Sequence, residues 1–140
     1  MVNRMMIANL IAAVVLPALQ VFTVPQDRLD FVCSVRQLDC SGLPAPEVRF
    51  ADLPGRALGM YSLVRPNVIW LDVALVDPLH AEAIVVHEVS HYVDYHLGLP
   101  LDRCTTEAAA FRVYNAWVVT QGYPPGYTRY DWFIGYGCYQ

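Results

Sequence analysis

The sequence contains no lysine. All nine basic residues are arginine, against thirteen Asp and Glu, and the net charge is −4 over 140 residues. Charge of either sign is scarce, at 16% of residues against about 25% in an ordinary soluble domain. A mildly acidic chain without a basic cluster lacks the electrostatic footprint for nucleic acid or an anionic membrane surface. Internal repeats and low-complexity tracts are absent too, and a hydrophobic content of 56% excludes a disordered chain. The length gives room for one domain around one core and not for two.

The apolar surplus is uneven. Residues 1–24 hold a single charge, Arg4. Met1 to Met6 supplies a short basic start, Ile7 to Leu16 an apolar run, and Pro17-Ala18 a place for cleavage, which together read as an export signal over residues 1–20. The run falls short of the roughly 20 residues that span a bilayer, and Asn9, Pro17 and Gln20 interrupt its extension to Val24. Retention as an N-terminal anchor is the alternative, and the one way in which this chain would meet a membrane. The domain is then residues 21–140, exported to the periplasm or beyond. Its four cysteines, Cys33, Cys40, Cys104 and Cys138, suit two disulfides in an oxidising compartment, with three connectivities open. The favoured one pairs Cys33 with Cys40 in a short loop and Cys104 with Cys138 to tie down the tail. Neither spacing fits a zinc motif.

Along the domain, Leu43-Pro44-Ala45-Pro46 is a loop leading to a short strand, Glu47 to Ala51. Leu53-Pro54-Gly55 marks a turn, Ala57 to Val64 a strand, Arg65-Pro66-Asn67 a turn, and Val68 to Leu71 a strongly apolar strand; the last two strands read as a hairpin. Asp77-Pro78 pairs an N-cap with a proline at the first helical position, and the helix runs from Pro78 to about Leu97, stopped by Gly98 and Pro100. A second helix starts near Thr105 or Thr106 and ends at Gln121, before Gly122. Strands followed by two helices define an α+β fold. Asp72 reads as a strand end. Arg103 and Arg112 read as solvated, with Arg112 facing away from Glu107.

Chemistry concentrates on the first of these helices, where His87-Glu88-Val89-Ser90-His91 has the form H-E-x-x-H. Two histidines four residues apart lie about 40° apart around a helix, so both imidazoles reach one metal ion. Zinc suits neutral imidazole with a carboxylate and, in catalytic sites, keeps one position for water. Glu88, about 100° round from His87, can approach that water without ligating the metal and serve as general base. Ile84, Val85, Val86, Val89 and Val93 would bury the helix and turn the histidines toward a cleft. The third ligand expected is Glu107, sixteen residues beyond His91 in the first turn of the next helix, with Ala108, Ala109 and Ala110 allowing close helix approach.

These residues resemble small gluzincin-type zinc metallopeptidases, in which H-E-x-x-H is followed by a helix bearing Glu-x-x-Ala. His87, Glu88, His91, Glu107 and Ala110 match that pattern, and Gly59-Met60-Tyr61 with Asn67 to Leu71 looks like the hairpin preceding the active-site helix. The resemblance covers residues 47 to 121. It implies a zincin-like fold, one zinc ion held by His87, His91 and Glu107, and Glu88 as catalytic base. It also implies that an edge strand, here Ala57 to Val64, pairs with an extended substrate. Phe111 departs from the pattern, because larger members carry a carboxylate there. Asp94, three residues after His91, is the local candidate for the outer partner of a ligand histidine. Tyr114, Tyr127, Tyr130, Tyr136 and His96 are the candidates for an oxyanion donor, and no spacing selects among them.

Rival third ligands fit less well. Asp94 and Leu97 stand where a metzincin has Gly and His, and Asp131 in Thr128-Arg129-Tyr130-Asp131 only faintly resembles an aspzincin motif. His80, seven residues or nearly two turns before His87, reads as a cap or solvent-facing residue. The aromatic tail from Tyr123 to Gln140 reads as packing anchored by Cys138. The expectation is a monomeric, exported zinc metallopeptidase acting on a peptide or related amide. The alternative is a catalytically inactive zinc-binding or interaction module on a zincin scaffold in the cell envelope.

Overall fold

The computed structural model describes residues 21–75, 77–126 and 137–138. Residues 1–20, expected to be an export signal, and Tyr127, Tyr130, Asp131 and Tyr136 in the tail lie outside the described residues. In chain order the elements are β1 (Phe22–Thr23), α1 (Gln26–Arg36), β2 (Glu47–Ala51), β3 (Gly59–Tyr61), β4 (Val68–Asp72), α2 (Pro78–His96) and α3 (Arg103–Thr120). The fold is α+β: among the described residues, three helices pack with a four-stranded mixed sheet of order β1-β2-β4-β3. β1 is antiparallel to β2, β2 parallel to β4, and β4 antiparallel to β3. The expected hairpin is present, with Gly59 opposite Leu71 and Tyr61 opposite Ile69. β3 is shorter than the 57–64 stretch expected, and it forms an edge of the sheet.

α2 is the centre of the molecule. Residues 81–90 are buried without a break, as in a helix that touches neighbours on every side. β3 and β4 pack against it, and so do α1 and α3. Its ends are made as the sequence dictates. Asp77 accepts from the Leu79 N–H at 3.1 Å, Pro78 follows at the first helical position, and Gly98 at φ +67° lets Leu99 N–H reach the Asp94 carbonyl at 2.9 Å. That is the Schellman closure that a glycine just after the C-cap residue, here Leu97, permits.

α3 starts earlier than Thr105 or Thr106. Asp102 is its N-cap, accepting from Thr105 N–H at 3.0 Å, and the Thr106 hydroxyl donates back to the Asp102 carbonyl at 3.1 Å. Both threonines are used inside the first turn, so Glu107 is the fifth helical residue and stands just beyond that turn. α1 has no counterpart in the sequence reading. It buries Leu29, Val32 and Cys33 at helical spacing, together with Arg28. Asp72 closes β4 by accepting from Leu53 N–H at 2.9 Å and Ala74 N–H at 3.1 Å.

Both favoured disulfides form, Cys33–Cys40 and Cys104–Cys138. Two disulfides and no free thiol among the described cysteines suit an oxidising compartment. Among the described residues no helix is long and apolar enough to cross a membrane.

Candidate metal centre

The two histidines of α2 meet the glutamate of α3. His87 Nε2 lies 3.2 Å from Glu107 Oε2, and His91 Nε2 lies 3.2 Å from Glu107 Oε1. The three ligand atoms, one from each residue, all fall within 4.8 Å of one another. Around a tetrahedral ion with bonds of about 2.0–2.2 Å, neighbouring ligand atoms are about 3.3–3.5 Å apart. Each His–Glu separation, one to either carboxylate oxygen, is near such an edge, and with the three donors gathered within 4.8 Å these residues fit a divalent metal ion. Three protein donors also leave one coordination position open. The ion's identity is a matter of donor chemistry: two imidazoles and a carboxylate are a set that zinc accepts.

Without an ion the same geometry is a close cluster of two imidazoles on one carboxylate, in which the buried Glu107 Oε2 has no hydrogen-bond partner among the described residues. Burial raises the Glu107 pKa, but the His87 and His91 rings beside it outweigh burial and bring the carboxyl down to about 2. For His91, burial opposes the charged ring, yet the Glu107 hydrogen bond and the Glu88 and Glu107 charges lift its pKa above the ordinary 6.5. Glu88 is 7% exposed. Its removal from water pushes its pKa up, against the pull of both histidines and with the push of Glu107.

A cleft of about 360 Å³ opens beside this cluster. Glu88, His91, Asp94 and Glu107 line one side, Gly59, Met60, Tyr61 and Leu63 the other, and Leu101, Arg103 and Thr106 the start of α3. β3 runs against α2 at Gly59, where a Cβ would overlap Ile84 Cγ2 and stand 3.0 Å from Glu88 Oε1. Only a residue without a side chain lets the strand come this close. The ladder also sets which main-chain groups of β3 face outward. Asp72 N–H donates to the Leu58 carbonyl at 2.9 Å, and Leu58 continues the register that puts Gly59 opposite Leu71 and Met60 opposite Trp70. Antiparallel pairs alternate between bonded and non-bonded residues, so the N–H and C=O of Gly59 and Tyr61 point away from β4.

The other sequence candidates separate. Asp94 does line the cleft, but its carboxylate pairs with Arg36 Nη1 at 2.6 Å rather than hydrogen-bonding His91. Phe111 packs edge-on against His87, with ring centroids 4.6 Å apart, and the buried His87 Nδ1 has no hydrogen-bond partner among the described residues. His80 does not cap α2, which Asp77 does; it is half-buried, its ring meets Tyr114 edge-on at 6.0 Å and its Nε2 is buried. Of the oxyanion candidates, His96 Nε2 lies 2.9 Å from the Pro66 carbonyl, which fixes that nitrogen as the donor, and Tyr114 is buried in the core. Neither lines the cleft. Tyr61 lines it but donates to the same Pro66 carbonyl at 2.8 Å, and burial raises its phenol pKa. Arg112 is exposed, as expected, and so is Arg103, although it borders the cleft.

Sequence reasoning missed two arginines of α1 that reach α2. Arg28 Nε pairs with the fully buried Glu82 at 2.6 Å and stacks over Trp117, 4.5 Å from the ring centroid. Arg36 holds Asp94 and Ser90. A lone arginine in an unassigned segment carries no signal of its partner, so only the Leu29, Val32, Cys33 spacing could have pointed to the helix.

No protein-family model matches this chain, and neither a curated protein nor a solved structure does.

Proposed function

We propose that the protein is a zinc-dependent metallopeptidase of gluzincin type on a zincin-like fold, exported to an oxidising compartment, which hydrolyses peptide or related amide bonds. The observation that carries this reading is the convergence of His87 and His91 Nε2 on the Glu107 carboxylate, 3.2 Å from each, with Glu88 beside them in the cleft. His87, His91 and Glu107 hold the ion. When bound, a divalent metal supplies Lewis acidity, acidifying water and polarising a carbonyl.

The chain's own residues do the rest. Glu88 accepts the proton of the attacking water and passes it to the leaving amine. Its burial, which raises the carboxyl pKa, suits a group that must hold a proton between those two transfers. Outward N–H and C=O groups of Gly59 and Tyr61 on the sheet edge suit an extended substrate laid alongside β3, with main-chain hydrogen bonds supplying affinity. Metal binding by itself has no use for an acid at position 88, which favours an enzyme over an inert binding module.

The test is metal content of the oxidised chain beside a His91→Ala variant, followed by a peptidase screen with Glu88→Gln as control. About one zinc per chain, lost in His91→Ala, is the expected result. Glu88→Gln should keep the zinc and lose turnover by about 10²–10⁴-fold, the worth of a general base. Turnover that survives this change would sink the mechanism. Zinc without turnover in the unaltered chain would leave the binding module.

A further inference from the structure

The turn of α2 that carries His91 is gripped from another helix. Arg36 Nη1 lies 2.6 Å from Asp94 Oδ1, 3.1 Å from the Ser90 carbonyl oxygen and 3.2 Å from Ser90 Oγ. One guanidinium nitrogen therefore ties together the residue just before His91 and the residue three beyond it. Ser90 is fully buried and Asp94 nearly so, at 2% exposure, and Asp94 forms part of the cleft wall beside His91.

The launching point of this arginine is also held. Arg36 is the last residue of α1. The chain reverses directly after it through Gln37 at φ 55°, Leu38 N–H returns to the Cys33 carbonyl at 2.9 Å, and the Cys33–Cys40 disulfide closes the loop.

Holding α1 to α2 does not require Arg36. Leu29, Val32 and Cys33 are buried in the common core, and Arg28–Glu82 is a second buried ion pair across the same interface. A buried pair adds little net stability over apolar residues of similar size. What three contacts from one nitrogen to a main-chain oxygen and two side chains do supply is a fixed position for that helical turn.

We propose that Arg36 is a positioning residue for the metal centre: by gripping Ser90 and Asp94 it sets the rotation and height of the α2 turn that points His91 Nε2 at the ion shared with His87 and Glu107. This rests on the reading of that cluster as a metal site, but not on peptidase activity.

The experiment uses the full chain with both disulfides oxidised and Co²⁺ as the probe, read by its visible absorption bands, with Zn²⁺ competition for affinity. Arg36→Met is expected to weaken metal binding by about 10–100-fold, the usual effect of removing a group that orients a ligand, and to shift the cobalt bands. Arg36→Lys should restore most of both, because an ammonium can replace a single donating nitrogen at all three contacts. Arg28→Met is the control: it removes the neighbouring ion pair, lowers thermal stability, and leaves affinity and bands unchanged. Unaltered bands and affinity in Arg36→Met would overturn the proposal. So would an Arg28→Met loss as large as that of Arg36→Met, which would mean generic loosening of α1. If Arg36→Met does not fold, Asp94→Asn, which keeps size but not charge, must weaken binding and move the bands or the proposal falls. Unaltered chain that takes up no Co²⁺ would remove the metal centre itself, an outcome told apart by that sample alone.

Discussion

Glu88 and Gly59 both line the cleft and lie close to each other. A Cβ at 59 would overlap Ile84 and press on Glu88 Oε1 and Cγ at 3.0 and 3.1 Å, so Gly59→Ala has no free space to occupy. Overpacking of this kind costs about 1–3 kcal/mol, and chemical denaturation should show the loss. Because Glu88 is one of the groups that must yield, turnover should fall further than stability accounts for, with metal content unchanged. At this scale the sequence was informative wherever chemistry repeats at helical spacing. His87, Glu88 and His91 announce themselves, and Glu107 was found from an acid a short connection away. Partners joined across distant segments were not legible. Arg36 and Asp94 are 58 residues apart in sequence, and nothing in either neighbourhood names the other.

Elements followed the same division. β2 and the hairpin's β4 were readable from apolar runs between turn residues, and α2 from its cap, proline and terminal glycine. α1 was not, because its buried face includes Arg28, which leaves an apolar stripe only three residues long. The start of α3 was misplaced because Thr105 and Thr106 are acceptable caps in isolation, while Asp102, which has the stronger claim here, bonds Thr105 N–H. Replacing that cap, Asp102→Ala, should cost about 1 kcal/mol and should also weaken metal binding, because Glu107 follows within two turns. Asp77→Ala, at the far end of α2 from His91, should cost about the same and leave metal affinity alone. Isothermal titration with Zn²⁺ beside thermal melts separates the two. The disulfides differ by loop length: Cys104–Cys138 closes 34 residues and Cys33–Cys40 seven. Chain-entropy arguments put their worth at about 4 and about 2.5 kcal/mol respectively. Cys104→Ser/Cys138→Ser should therefore be the more destabilising pair.

For the whole molecule, proton binding has a clear sign. Burial raises the carboxyl pKa values of Glu82, Glu88 and Asp94 above their ordinary ones, with Arg28 and Arg36 opposing this at Glu82 and Asp94. His91 is raised above 6.5 by its acidic neighbours despite burial. All four groups bind protons more readily folded than unfolded, so each makes the metal-free protein less stable as pH rises through its folded pKa. Glu107 works the other way, but only below its unfolded value of 4.5, where stability is lost as pH falls toward about 2. The metal-free chain should accordingly melt higher at about pH 5.5 than at about pH 8. Metal binding demands deprotonated histidines, so with saturating Zn²⁺ the trend should reverse, and paired thermal melts would reveal the crossing.

The three candidate ligands and Glu88 all lie between residues 87 and 107, within one helix–turn–helix unit, whereas the strand that walls the cleft comes from residues 59–61. On the function proposed above, ion capture is a local property of one supersecondary piece, and contact with a substrate is a property of the assembled chain. The two can drift independently: changes in the hairpin can redirect what is bound without touching the ion, and the helical pair can be copied into another scaffold with its chemistry intact and its selectivity left behind.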